Sequence, residues 1–267
     1  MTASLPSSYS AAFRAQLRRA FTPPYEAPLV VAVNGLLMTG AWYLLPLPLQ
    51  DSLFRLHGPL AFPVVLMSWM LADVPATNVL GSDAERVYAA LDDPAALRRL
   101  LYAKNAVLWL LAVPVCVVVA VVTGFAEQHW VATTITVAAI LLVPVGGLGI
   151  AAWLGICFPY HPIPVAERWE HRRPLRRMIV RWLTLVTLPY VLVPWITAAI
   201  AAPAYVLWIS ISDDWHKRIP DTDLAIGVAL TAAISATAFF VGHRVGLRLV
   251  DRRRAKLAAF LPQPDLG

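Results

Sequence analysis

Ala106 to Thr123 reads AVLWLLAVPVCVVVAVVT, and Val131 to Pro159 reads VATTITVAAILLVPVGGLGIAAWLGICFP; neither stretch contains an Asp, Glu, Lys or Arg. Each is long enough to cross the ~30 Å hydrocarbon layer of a bilayer as a helix. Within that layer the backbone finds no outside hydrogen-bond partner, so only a helix or a closed barrel can cross, and these runs lack the alternation of a barrel strand. The rest of the chain has the same bias. Of its 267 residues 59% are hydrophobic and 14% charged, a mixture outside the range of ordinary soluble domains. The fold class that follows is an all-α, polytopic membrane protein.

Apolar length places six spans, at about Leu29 to Leu47, Leu60 to Leu80, Ala106 to Phe125, Val131 to Cys157, Ile179 to Ile196 and Leu224 to Val241. Threaded with the N-terminus in the cytoplasm, this order puts every Lys and Arg inside except Arg55, Lys217 and Arg218. Short basic segments stay on the cytoplasmic side. A seventh span at Thr197 to Ser212 would expel the Arg-rich tail, so that apolar stretch is expected to be a re-entrant segment in the outer half of the membrane, between spans five and six. The expected divisions are a cytoplasmic amphipathic segment (1–27), a six-helix membrane domain (28–243) and a basic cytoplasmic tail (244–267). The expected location is the plasma (inner) membrane, with both termini cytoplasmic. The net charge of +6 is dispersed in clusters between apolar runs, which reads as topology and not as a nucleic-acid surface.

Tyr9, Phe13, Leu17 and Phe21 recur at four-residue spacing opposite Arg14, Arg18 and Arg19, with Ser7 or Ser8 available as a cap: an interfacial amphipathic helix. Between spans two and three, Ser82 and Glu85 have capping-box spacing for a helix to about Leu91. Asp92, Asp93 and Pro94 then stop that helix and start another, which carries Arg98, Arg99 and Lys104 into span three.

Residues able to do chemistry are few. Asn34 in span one and Asp73 near the end of span two are intramembrane polar candidates. His161, Glu167, Glu170 and His171 are metal-capable but lack His-Glu-x-x-His spacing, and no metal site follows. Their loop reads as a solvated one, with Arg172, Arg173, Arg176 and Arg177 contacting lipid headgroups and Trp169 as an anchor. Cys116 and Cys157 lie within apolar runs, where cysteine acts as a small hydrophobe. No nucleophile system is recognisable, so no catalytic residue is assigned. Trp42, Tyr43, Trp130, Tyr190, Trp195, Trp208 and Trp215 fall near span ends, as in an aromatic belt. Gly242 and Gly246 make a weak dimer-type spacing.

The succession of amphipathic helix, two spans, helical elbow, two spans, basic loop and two spans resembles the membrane subunit of type-2 ATP-binding-cassette (ABC) exporters. Locally, LDDPAALRRLLYAKNAVLWLL (Leu91 to Leu111) and GGLGIAAWLGICFPYHPIP (Gly146 to Pro164) are similar to that family's entry into span three and its Gly-rich span. The resemblance implies an exporter permease for an apolar or amphipathic substrate. It makes Ser82 to Asn105 the coupling helix, with Asp83, Glu85, Arg86, Asp92 and Asp93 as contacts to a nucleotide-binding ATPase. No G-x-x-x-x-G-K-[ST] loop occurs here, so ATP and magnesium would bind that separate subunit. Holding one six-helix unit, the chain would pair with a second copy or a related permease. The alternatives are an ATP-independent membrane enzyme or lipid-handling protein, using Asp73 or the His161 to His171 loop, and a non-transporting scaffold.

Overall fold

The computed structural model describes residues 5–23, 25–46, 48, 60–71, 76, 78–159, 161, 175–211, 214 and 218–263. In 175–194 it describes the backbone and only the side chains of Leu183, Thr187 and Val191. The described residues form helices and no strand. These are α1 (Tyr9–Ala20), α2 (Glu26–Leu44), α3 (Ala61–Leu71), a 3-10 turn (Gly81–Asp83), α4 (Ala84–Ala90), α5 (Pro94–Glu127), α6 (Trp130–Cys157), α7 (Leu175–Ile211) and α8 (Asp221–Phe260).

Four of them, α2, α5, α6 and α8, are long and apolar enough to cross a membrane. Their outward faces carry residues such as Leu36 and Leu37 on α2, Val118 and Val122 on α5 and Leu230 on α8, all exposed. Apolar surface on that scale suits lipid, because water would drive it into association. Inward, α2, α3, α5 and α6 share one apolar cluster that includes Met38, Met70, Leu108, Cys116 and Ile140. Cys116 is buried there as a small apolar side chain.

Within the expected span Leu60 to Leu80 the described residues form a helix over Ala61–Leu71, and Val79 and Leu80 belong to the turn before α4; 72–75 and 77 lie outside the described residues. The re-entrant segment is not there: α7 runs unbroken through Thr197 and Pro203 to Ile211, 37 residues in all, or roughly 55 Å. A continuous helix satisfies the backbone's hydrogen bonds internally, whereas a reversal inside the membrane exposes irregular backbone that other chain must cover. Ile200, Ala204, Leu207, Trp208 and Ile211 recur at helical spacing and bury one stripe against Ala132, Ile135, Ala139 and Val143 of α6. Trp208 is therefore a core residue and not part of a belt, while Tyr43, Trp130 and Trp195 are exposed.

Helix α8 runs unbroken across 243/244. It is one helix of 40 residues, ~60 Å long, and its basic half is a continuation of the apolar half. That basic half packs Val250, Leu257 and Leu261 against Val87, Leu91, Leu97 and Leu101 of α4 and α5. Arg253 donates to the carbonyls of Ile156, at 3.1 Å, and Cys157, covering the open C-terminal end of α6.

α6 and α8 meet along a stripe of small residues. A Cβ built on Gly242 would lie 2.5 Å from the Gly149 carbonyl oxygen, and one on Gly149 would lie 2.6 Å from Phe239 Cα. The Gly242–Gly246 spacing thus serves an approach inside the chain, reinforced by Trp153 Nε1 donating to the Gly242 carbonyl at 2.7 Å. Gly40, by contrast, has nothing within 4 Å of its Cβ position. Gly242→Ala should cost about 3 kcal/mol through forced separation of the two backbones. Gly40→Ala should be neutral or slightly favourable; thermal unfolding in detergent, followed by circular dichroism, compares the two.

Candidate functional site

The elbow begins where Asp93 caps α5. Its Oδ1 accepts from the amides of Ala95 (2.9 Å) and Ala96 (3.0 Å), with Pro94 in the first turn. This is the break that Asp92, Asp93 and Pro94 predict. The helix before it starts differently from expectation. Gly81–Asp83 is a 3-10 turn, and Asp83 instead of Ser82 holds the cap position of α4, without a side-chain capping bond of its own.

Asp83 makes no cap because its carboxylate is used elsewhere. Its side chain is 7% exposed and lies 2.8 Å from Arg19 of α1 and 3.7 Å from Arg86. Lys104, one helical face along α5, is buried as well; its Nζ donates to the Asn78 carbonyl at 2.7 Å. Asn78 Oδ1 in turn accepts from the Gly81 amide at 3.1 Å. An ammonium away from water is costly unless opposed by charge, and Asp83 and Glu26 supply that opposition to Lys104. Together these groups bind α1, the turn and α5 into one unit, with Arg99 Nε on the Pro6 carbonyl at 3.0 Å as a further tie.

At the next residue of α5, Asn105, three helices meet at a second polar node. Asn105 Nδ2 donates to the Leu148 carbonyl (3.3 Å) on α6 and to His243 Nε2 (3.1 Å) on α8. His243 Nδ1 faces the Phe239 carbonyl at 2.9 Å. A carbonyl only accepts, so the proton sits on Nδ1 and Nε2 is the acceptor; turning the Asn105 amide over would set oxygen against oxygen at Leu148. Tyr102 lies edge-on to the His243 ring, with centroids 4.4 Å apart. Between Tyr102 and α8 opens a cleft of about 520 Å³ bordered by Arg98, Arg244 and Arg248.

Neither protein-family models, nor curated proteins, nor solved structures return a match to this chain.

The charges expected on the elbow separate into two groups. Asp83 is buried, Arg86 is half-buried beside it, and Asp93 is the α5 cap, 3.7 Å from Arg99; these hold the chain together and are not free surface. Glu85 is exposed. The Asp92 side chain is 89% exposed and only lightly tied to Arg254 at 3.2 Å. Asn34 is buried on the same face of α2 as Val31 and Met38. His161 is buried too: its Nε2 is 3.1 Å from the Phe260 carbonyl and its ring stacks on Phe260. It anchors the end of α8. Asp73, Glu167, Glu170, His171, Arg172 and Arg173 lie outside the described residues, as do the side chains of Arg176 and Arg177 at the start of α7.

Asn78, Lys104, Asn105 and His243 carry no assigned role in the sequence reading, although Lys104 and Asn105 stand together at the head of the most apolar run. Polar side chains at that depth were the available signal; which helices they join was not. Asp83→Ala should destabilise the protein by about 3 kcal/mol, as removal of one buried charge strands its partners. Glu85→Ala should change stability by less than about 0.5 kcal/mol. Equilibrium unfolding in mixed detergent micelles distinguishes them. For the second node, Asn105→Leu and His243→Leu should each cost ~1–3 kcal/mol. The double variant should cost less than their sum, by on the order of 1 kcal/mol, in a thermodynamic cycle.

Proposed function

We propose that this chain is the membrane subunit of an exporter of the type-2 ABC class. In this reading it crosses the membrane six times with both ends in the cytoplasm. It moves an apolar or amphipathic substrate, and magnesium-dependent ATP hydrolysis on a separate subunit drives it. A second copy or a related permease completes the path.

The observation that supports this most is the two-sided character of α4. Val87, Ala90 and Leu91 face the chain and pack on Leu97 and Leu101 of α5 and on the basic half of α8. Glu85, Tyr88, Ala89 and Asp92 face away from it. A push on that outer row reaches α5 through a packed apolar layer and a capped helix start. Since α5 is a single helix of 34 residues, such a push tilts the whole element as a rigid body. Charged groups on the outer row set the register of a docked partner. ATP-independent lipid handling is the second reading, favoured by the arginine-bordered cleft beside Tyr102.

Affinity purification of the tagged chain from its native membranes should bring down a nucleotide-binding ATPase. A combined Glu85→Arg, Tyr88→Ala, Asp92→Arg variant should recover at least about tenfold less of it, with an unchanged melting temperature. If no ATPase accompanies the unaltered protein and its transport survives in the variant, the permease reading fails and lipid handling without ATP takes its place.

A further inference from the structure

We propose that the cleft between the start of α5 and the middle of α8 binds a membrane amphiphile through its anionic, phosphate-type headgroup. Two stripes form it. Pro94, Arg98 and Tyr102 recur every four residues along α5, and Phe240, Arg244, Arg248 and Asp251 mark the facing side of α8. The space between them is about 520 Å³, enough for a headgroup with its first acyl carbons.

Its cations are uncommitted. Arg19, Arg99, Arg253 and Arg254 each have a carboxylate or carbonyl partner at the same end of the bundle. Arg98, Arg244 and Arg248 are exposed and form no hydrogen bond or ion pair with any described residue. The acidic group in the lining, Asp251, is engaged by Arg254 at 3.0 Å. Three guanidinium groups thus border one space whose single lining carboxylate is paired with a fourth arginine. Their planar forks match the oxygens of a phosphate.

The apolar side says what else the ligand carries. Phe240, in the lining, is 61% exposed, one turn from Arg244 toward the apolar half of α8. A free anion makes no use of that wall, whereas the chain of an amphiphile lies along it while its head reaches the arginines. His243 forms the floor and offers only its ring face, because both of its nitrogens are engaged by Asn105 and Phe239. The site is defined on this chain alone and holds whether or not an ATPase drives the protein.

The test uses the purified full chain in neutral detergent, titrated with dioctanoyl phosphatidic acid, dioctanoyl phosphatidylcholine and inorganic phosphate, with binding read by native mass spectrometry. Expected is saturable one-to-one binding of the phosphatidic acid, much weaker binding of the zwitterionic lipid and no displacement by an equal concentration of inorganic phosphate. The combined Arg98→Gln, Arg244→Gln, Arg248→Gln variant should weaken binding at least roughly tenfold. Arg252→Gln with Lys256→Gln, exposed on the same helix but outside the cleft, should leave it unchanged. Phe240→Ala, which keeps the charges and removes the wall, should also weaken it. Melting temperatures confirm that each variant is folded. Undiminished binding in the triple variant, equal loss in the two arginine and lysine variants, or displacement by inorganic phosphate would each overturn the proposal.

Discussion

The backbone approach of α6 and α8 at Gly149 and Gly242 is the constraint on which the rest of the architecture depends. With no Cβ on either side, the two helices come close enough for a side chain of one to reach the carbonyls of the other, as Trp153 does at Gly242 and Arg253 at Ile156 and Cys157. Between two apolar helices in lipid there is little hydrophobic gain, so close packing and hydrogen bonds are what hold them. The same approach sets the height of His243 against Leu148 and Asn105. It also fixes where the basic half of α8 leaves the bundle.

Polar side chains are then placed where helices must be told apart. Asn105 has one partner on α6 and one on α8, and its geometry admits one tautomer of His243. An apolar residue at either position would pack in several registers; the paired amide and imidazole accept one. Lys104 and Asp83 do the equivalent work at the basic end, where α1, the turn before α4 and α5 converge. Removing either member of such a buried set leaves the other charge stranded away from water.

These demands explain why the elbow is less a free handle than a rigid corner. Three of its five charged candidates hold neighbouring elements, and the apolar side of α4 is sealed by α5 and α8. What remains outward is a short row containing Glu85, Tyr88 and Asp92. A corner joined to a long unbroken helix carries a displacement at one end to the other with little loss. The cleft beside it draws on the arginines that none of these structural ties has used.

Composition and run length by themselves determined that the described chain is helical and roughly where its four membrane-length apolar helices lie, and Asp92, Asp93 and Pro94 marked where α5 begins, because these are local properties: a helix in lipid closes its own hydrogen bonds, and Asp93 caps the residues directly after it. Four-residue spacing also marked α1, with Ser7 or Ser8 as its cap, and the structure selects Ser8, whose Oγ accepts from the Ala11 amide at 3.2 Å. Tertiary structure alone decided what each polar residue does. The expected belt place of Trp208 and the expected reversal at Thr197 to Ser212 gave way to a buried helical stripe against Ala132 to Val143 of α6, and Asp83 and His161 have partners far away in sequence, Arg19 and Phe260. Burial and pairing across helices depend on crossing positions, and those come from steric fit between whole surfaces, which no single segment encodes.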